Sequence, residues 1–257
     1  FRKSLLKGIW IISLEVIPLN LEPFIFDCEV FAYDWLFIFK NKVTKEYTVI
    51  WNDNEAVEQF MAQEPLLAGF NNKHYDQFIL KAVLSGFTPE EVKAVNDFII
   101  VGGHEGWEFA PLRDCGIFFD QYDLMDDCQM GLSLKAIEAH LGMDIRETTV
   151  SFNINRPLTE DEKREVEFYC RHDVDATDRL DDLRQGYLSS KLTLGREKGL
   201  YPAKALYMTN AKLTATYLDA TQKPHYDERE YQYPPKLLRQ YIPQEVFNFF
   251  ERLKDKS

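Results

Sequence analysis

The sequence predicts an α/β fold: a mixed five-stranded sheet flanked by helices, with a mainly helical C-terminal extension. Two observations carry this. Three β-rich runs come first, the second and third joined by a short polar stretch, which argues for antiparallel pairing. Strand-like and helix-like segments then alternate, which argues for further strands with helices laid on the sheet. The composition is globular, with 45% apolar and 28% charged residues over 257 positions. A disordered chain would hold fewer apolar and aromatic side chains. No stretch reaches the roughly 18 uncharged apolar residues that a membrane span needs.

The elements follow in order. Pro23 precedes Phe24-Ile25-Phe26, a short buried strand. Trp35-Leu36-Phe37-Ile38-Phe39 is a second strand and Tyr47-Thr48-Val49-Ile50-Trp51 a third, with Lys40-Asn41-Lys42 between them. Asn54 can cap a helix carrying Ala56, Val57, Phe60 and Met61. Leu66 to Phe70 reads as a fourth strand, and a helix from about Tyr75 to Ser85 stops at Gly86. Gly116-Ile117-Phe118-Phe119 is the candidate fifth strand. Ser133 can cap a helix with Leu134, Ile137 and Leu141 on one face, ended by Gly142. The strongest helix begins at Thr159, where Thr159 and Glu162 have capping-box spacing and Glu160 and Asp161 fill the acid-favouring first turn.

Charge divides the chain. Residues 1–185 carry 34 acids against 18 bases, and residues 186–257 carry 8 against 12. The break near Gly186 is the expected edge between a body at 23–185 and a helical segment at 186–257, with an N-terminal extension at 1–22. The chain opens on Phe1 and closes in a charged run, so it reads as a piece of a longer protein. An acidic body argues against binding nucleic acid by basic surface alone, but not against a nuclease whose carboxylates hold cations. Cysteines 28, 115, 128 and 170 fit no zinc spacing and read as reduced, mostly buried thiols.

Four acids stand where core residues are expected. Asp27 and Glu29 follow Phe24-Ile25-Phe26, and residues two apart in a strand share a face. Carboxylates so placed raise each other's pKa unless a cation intervenes, although a D-x-E pair also suits a solvated strand end. Asp173 lies on the stripe of Val166, Tyr169, Ala176 or Thr177, Leu180 and Leu183, where a purely structural helix would carry leucine. An unpaired carboxylate there costs several kcal/mol, so it should be neutralised, hydrogen-bonded or metal-bound. Asp76 opens the helix after the fourth strand, a position that also suits the helix dipole.

In chain order these are Asp27-x-Glu29, Asn72-x-x-Tyr75-Asp76 and Tyr169-x-x-x-Asp173. Over roughly Pro23 to Leu183 the sequence resembles the DEDD superfamily of 3′→5′ exonucleases, in its tyrosine subclass. Phe119 to Asp126 and Leu132-Ser133-Leu134-Lys135-Ala136 add a looser match between the second and third motifs. Histidine-subclass members place His five residues before the last Asp, where this chain has Phe168. Phe70 to Asp76, Gly131 to Lys135 and Met208 to Leu213 are similar to segments in the proofreading region of bacteriophage replicative DNA polymerases.

That resemblance implies a ribonuclease H-like sheet and two divalent cations, Mg²⁺ or Mn²⁺, held by Asp27, Glu29, Asp76 and Asp173. Asp27 would bridge the ions and Asp76 act through water, while Tyr169 orients the attacking water. Asn72 and Lys73 would touch the terminal nucleotide or a phosphate. Val30 and Phe31 would stack on the last base, although Phe31 equally suits a core and Asn71-Asn72 a turn. The implied partners are a single-stranded DNA 3′ end and a polymerase domain of the parent chain, in the cytoplasm of a bacterial host. A ribonuclease acting on short RNA, or a non-catalytic nucleic-acid scaffold, are the alternatives. His172 is expected at the surface. Asp173-x-Asp175 fails as a calcium loop because Asp178 and Arg184 hold its Gly and Glu positions. His104-Glu105 lacks a second His.

Overall fold

The computed structural model describes residues 22–221 and 242–254, apart from 114, 127, 129, 130 and 147. Most of the expected extension at 1–22 lies outside the described residues. Strands β1 (Phe24–Val30), β2 (Trp35–Asn41), β3 (Tyr47–Trp51), β4 (Leu67–Gly69) and β5 (Gln121–Asp123) form one sheet in the order β3-β2-β1-β4-β5. β1–β2 and β2–β3 pair antiparallel, as expected from the short polar turn. β4 then joins β1 in parallel and β5 joins β4 in parallel, so the sheet is mixed.

Helices α1 (Asn54–Met61), α2 (Asp76–Leu84) and α3 (Pro89–Ile100) serve one face. Phe26, Trp35, Phe37 and Phe39 from the sheet meet Val57, Ile79, Val83 and Val92 there in one apolar cluster. A short helix α4 (Ala110–Arg113) adds Leu112 to that layer. On the other face, Ile25, Leu36, Ile38 and Tyr122 meet Ile137 of α5 (Leu134–His140) and Val166, Cys170 and Val174 of α6 (Glu160–Glu197). α7 (Pro202–Tyr207) and α8 (Asn210–Tyr217) follow. The described residues through Tyr217 form one compact unit, and those from Leu218 on, with α9 (Gln244–Lys254), form a second.

α6 has 38 residues, a length of about 57 Å at the α-helical rise. It begins at the expected capping box: the Thr159 side chain accepts from Glu162 N, and the Glu162 side chain accepts from Thr159 N. Gly186, where the charge composition changes, lies inside it. Basic residues at and beside the β2–β3 turn hold its buried Asp178 face. Lys40 and Lys42 reach Asp178 at 2.6 and 2.8 Å, and Lys45 reaches it at 2.9 Å. Burial favours protonating Asp178, but the three ammonium groups hold its carboxyl down at about 2. From β5, the Tyr122 hydroxyl donates to Asp181 at 2.8 Å.

Some local expectations are corrected. Asp53, not Asn54, caps α1, accepting from Ala56 N at 3.0 Å. Asn54 instead donates to the carbonyls of Val83 and Phe87, tying α1 to α2. Gly116–Phe119 is not a strand. β5 begins at Gln121, because the edge beside β4 is filled by residues with polar anchors (Gln121 to amides, Asp123 to backbone) and not by the greasiest run. Leu141 and Leu183, both expected to face inward, are exposed at 43% and 51%. α5 ends before Leu141, and on α6 the inward stripe continues through Leu180 and Asp181 instead.

Candidate metal centre

β1 delivers two of the acids. Phe26, Cys28 and Val30 belong to the cluster under α1–α3. Strand alternation therefore points Asp27 and Glu29 to the opposite face, toward α6. Cys170 Sγ lies 3.6 Å from Asp27 Oδ2. One oxygen each from Asp27 and Glu29 and the Cys170 sulfur fall within 4.8 Å of one another.

The segment after β4 delivers Asp76. Asn71 adopts a left-handed conformation, φ 65°, which asparagine tolerates better than most residues. A Cβ on Gly69 would fall 2.9 Å from Asn72 Cβ, so this turn closes only over glycine. The buried Asp123 carboxylate at the end of β5 accepts from the backbone N–H groups of Asn71, Lys73 and Met125 at 2.8–3.0 Å. α2 thus starts with Asp76 aimed at β1, and the Cys28 thiol donates to Asp76 Oδ1 at 3.1 Å.

Asp173 arrives from α6 and is 8% exposed. Helical spacing puts Tyr169 one turn before it, and the two side chains hydrogen-bond. Lys135 of α5 contacts Asp173 with its ammonium group and lies 4.9 Å from the Tyr169 ring centre. The four predicted acids and Tyr169 are therefore brought together.

The electrostatics follow from that crowding. Burial raises the pKa of Asp27, and the charges of Asp76, Glu29 and Asp173 raise it further. Burial, with Asp173 and Asp76, pushes Glu29 up to about 8. Asp76 is pushed up to about 6 by burial, partly offset by the Cys28 thiol. Tyr169 is pushed well above the usual phenol range by burial and by Asp173 and Glu29. Burial and the neighbouring acids also keep Cys28 and Cys170 as protonated thiols. The available donors are accordingly carboxylate oxygens, with the thiols donating hydrogen bonds to them. Clustered oxygen donors that repel one another suit a hard cation such as Mg²⁺ or Mn²⁺, not a thiolate-preferring metal.

The expected nucleotide contacts sit elsewhere. Val30 and Phe31 are buried at 3% and 0% exposure, the latter stacked on Phe152. Asn72 is fully buried, and its amide meets that of Gln121 at 2.8 Å. Lys73 bonds Asp126 and the Tyr207 carbonyl. His172 is not a surface residue. It is largely covered, with Nε2 3.8 Å from Glu138. Glu138 is itself fully buried and 3.4 Å from Lys135. Sequence reasoning assigns no role to Lys135, Glu138 or Asp123. The i,i+3 pair Lys135–Glu138 was the available signal, but the face it occupies depends on how α5 packs. None of the four cysteines is in a disulfide. Among the described residues no helix is long and apolar enough to cross a membrane. Comparison with protein-family models, curated proteins and solved structures found no match.

Proposed function

We propose that the chain is a two-metal-dependent 3′→5′ exonuclease of ribonuclease H-like fold. Its substrate is the 3′ end of single-stranded DNA, and it is the proofreading part of a bacteriophage DNA polymerase. The observation that carries this reading is the meeting of Asp27, Glu29, Asp76 and Asp173, from three distant segments, with Tyr169 at their edge. Two bound divalent ions would supply Lewis acidity to a water and to the scissile phosphate. Asp27 feels the charge of all three other acids, so it would be a central ligand of the ions. Glu29, Asp173 and Asp76 would supply the remaining carboxylates. Tyr169 stays protonated at working pH, so it positions the attacking water and does not deprotonate it. Water oxygen bonds to phosphorus, and the bond from phosphorus to the preceding 3′ oxygen breaks. One water proton ends on that oxygen and the other in solvent. The products are a nucleoside 5′-monophosphate and a strand shortened by one.

The test is the ladder of products from a 5′-labelled oligonucleotide with Mg²⁺ or Mn²⁺. Asp27→Ala and Asp173→Ala should each reduce nucleotide release about a thousandfold or more, with the fold retained by circular dichroism. Tyr169→Phe should cost about a hundredfold. Undiminished metal-dependent digestion by both alanine variants overturns the mechanism. Faster loss of RNA than of DNA of equal length moves the assignment to a ribonuclease.

A further inference from the structure

The run Gly116-Ile117-Phe118-Phe119 stays outside the sheet and bares Phe118 at 89% exposure. Phe118 lines a groove of about 400 Å³ between α2, the lead into β5, and α7. Tyr201 and Tyr207 line it too, exposed at 64% and 49%. Rings left in water forfeit the gain of apolar burial, and three in one groove ask for an occupant. Ammonium groups stand among the rings. Lys81 lies 5.9 Å from the Phe118 ring centre, and Lys204 lines the wall. Asp120 is also in the lining and is engaged by the Tyr201 hydroxyl.

We infer that this groove binds the bases of a single DNA strand behind its 3′ end. Rings offer a stacking face to any base, and spaced cations meet the phosphates. A protein partner is the weaker fit, because lysine is depleted from protein–protein interfaces. Lys81 and Lys204 give the groove local positive charge for a strand's phosphates, with its one carboxylate, Asp120, engaged by the Tyr201 hydroxyl. Gln77 and Lys81 of α2, the helix that Asp76 opens, form one wall of the groove. The inference rests on the exonuclease reading and extends it to the strand's path.

The whole chain is tested on two substrates, the p-nitrophenyl ester of thymidine 5′-monophosphate and labelled oligo(dT). The variants are Phe118→Ala, Tyr201→Ala and Lys204→Gln. All three should hydrolyse the small ester like the parent. On oligo(dT) each ring variant should raise KM about tenfold with kcat unchanged, and Lys204→Gln should raise it less. Anisotropy of labelled oligo(dT) in EDTA should show the same loss of affinity. Parent-like KM and affinity in the ring variants overturn the groove while leaving the nuclease reading intact. A parent that cleaves neither substrate overturns the nuclease reading, and the EDTA titration still decides the groove. Self-association of the parent that Phe118→Ala abolishes, with DNA affinity unchanged, would make the groove a protein interface and also overturn the inference.

Discussion

Asp27 illustrates how a residue can be costly for stability and yet suit the proposed chemistry. Its carboxylate lies under α6 with three other acids and a neutral thiol around it. Charging it without a cation is unfavourable both by desolvation and by repulsion. Asp27→Asn keeps the shape and removes the charge. In EDTA at pH 8 it should stabilise the protein, by on the order of 1–2 kcal/mol, read as a higher Tm or denaturant midpoint. In the same variant, Mn²⁺ affinity measured by calorimetry should fall at least tenfold. A less stable Asp27→Asn in EDTA would contradict this account of the centre. The parent's metal affinity should also rise with pH between about 6 and 8. Asp76 at about 6 and Glu29 at about 8 must lose protons before they can act as ligands.

The turn from β4 into α2 shows how a short element places a distant side chain. Gly69 lets Asn72 approach, Asn71 takes the left-handed corner, and Asp123 collects the free backbone N–H groups. Gly69→Ala puts a methyl 2.9 Å from Asn72 Cβ. It should cost about 1–3 kcal/mol in urea unfolding and lower kcat more than KM, because Asp76 rides on the same turn. Loss of stability with kcat intact would separate the turn from the site. The Asp178 face of α6 is held differently, by lysines at and beside the β2–β3 turn. Asp178→Asn leaves three ammonium groups short of a counter-charge. It should destabilise by about 2–3 kcal/mol, with the effect shrinking at high salt because Lys45 is half exposed.

Across the molecule, two groups of carboxylates pull the pH dependence of stability in opposite directions. Glu29 and Asp76 have folded pKa values raised to about 8 and 6. Between their unfolded values and these, the folded state binds more protons, so stability falls as pH rises. Asp178 is held down at about 2, so its contribution is present above its unfolded value and is lost as pH falls through the range to 2. In EDTA the Tm should therefore peak at about pH 4–5. Mg²⁺ should raise the alkaline side most, since it binds the ionised acids of the folded form. A Tm in EDTA that climbs steadily from pH 5 to 8 would contradict the raised pKa values of the centre.

Much of the architecture is written in short windows of the chain. The β-rich runs of β1 to β3 and their short polar turn announce the antiparallel part of the sheet, and Gly86 and Thr159 mark helix ends by local backbone chemistry. Strand alternation and helical spacing also put Asp27 with Glu29 and Tyr169 with Asp173, because these periods depend on neighbouring residues alone. Packing between distant segments settles the rest. Gly116–Phe119 has the composition of a strand, but Gln121–Asp123 takes the place beside β4 because its polar atoms find partners there. Val30, Phe31 and Asn72 end up inside because neighbouring layers cover them, and Lys135 and His172 face acids that come from other elements. The chain thus encodes locally the pairs Asp27 with Glu29 and Tyr169 with Asp173. Their meeting in one cluster, with the charges that shift their pKa values, comes from the sheet order and the seat of α6, which join residues nearly 150 positions apart.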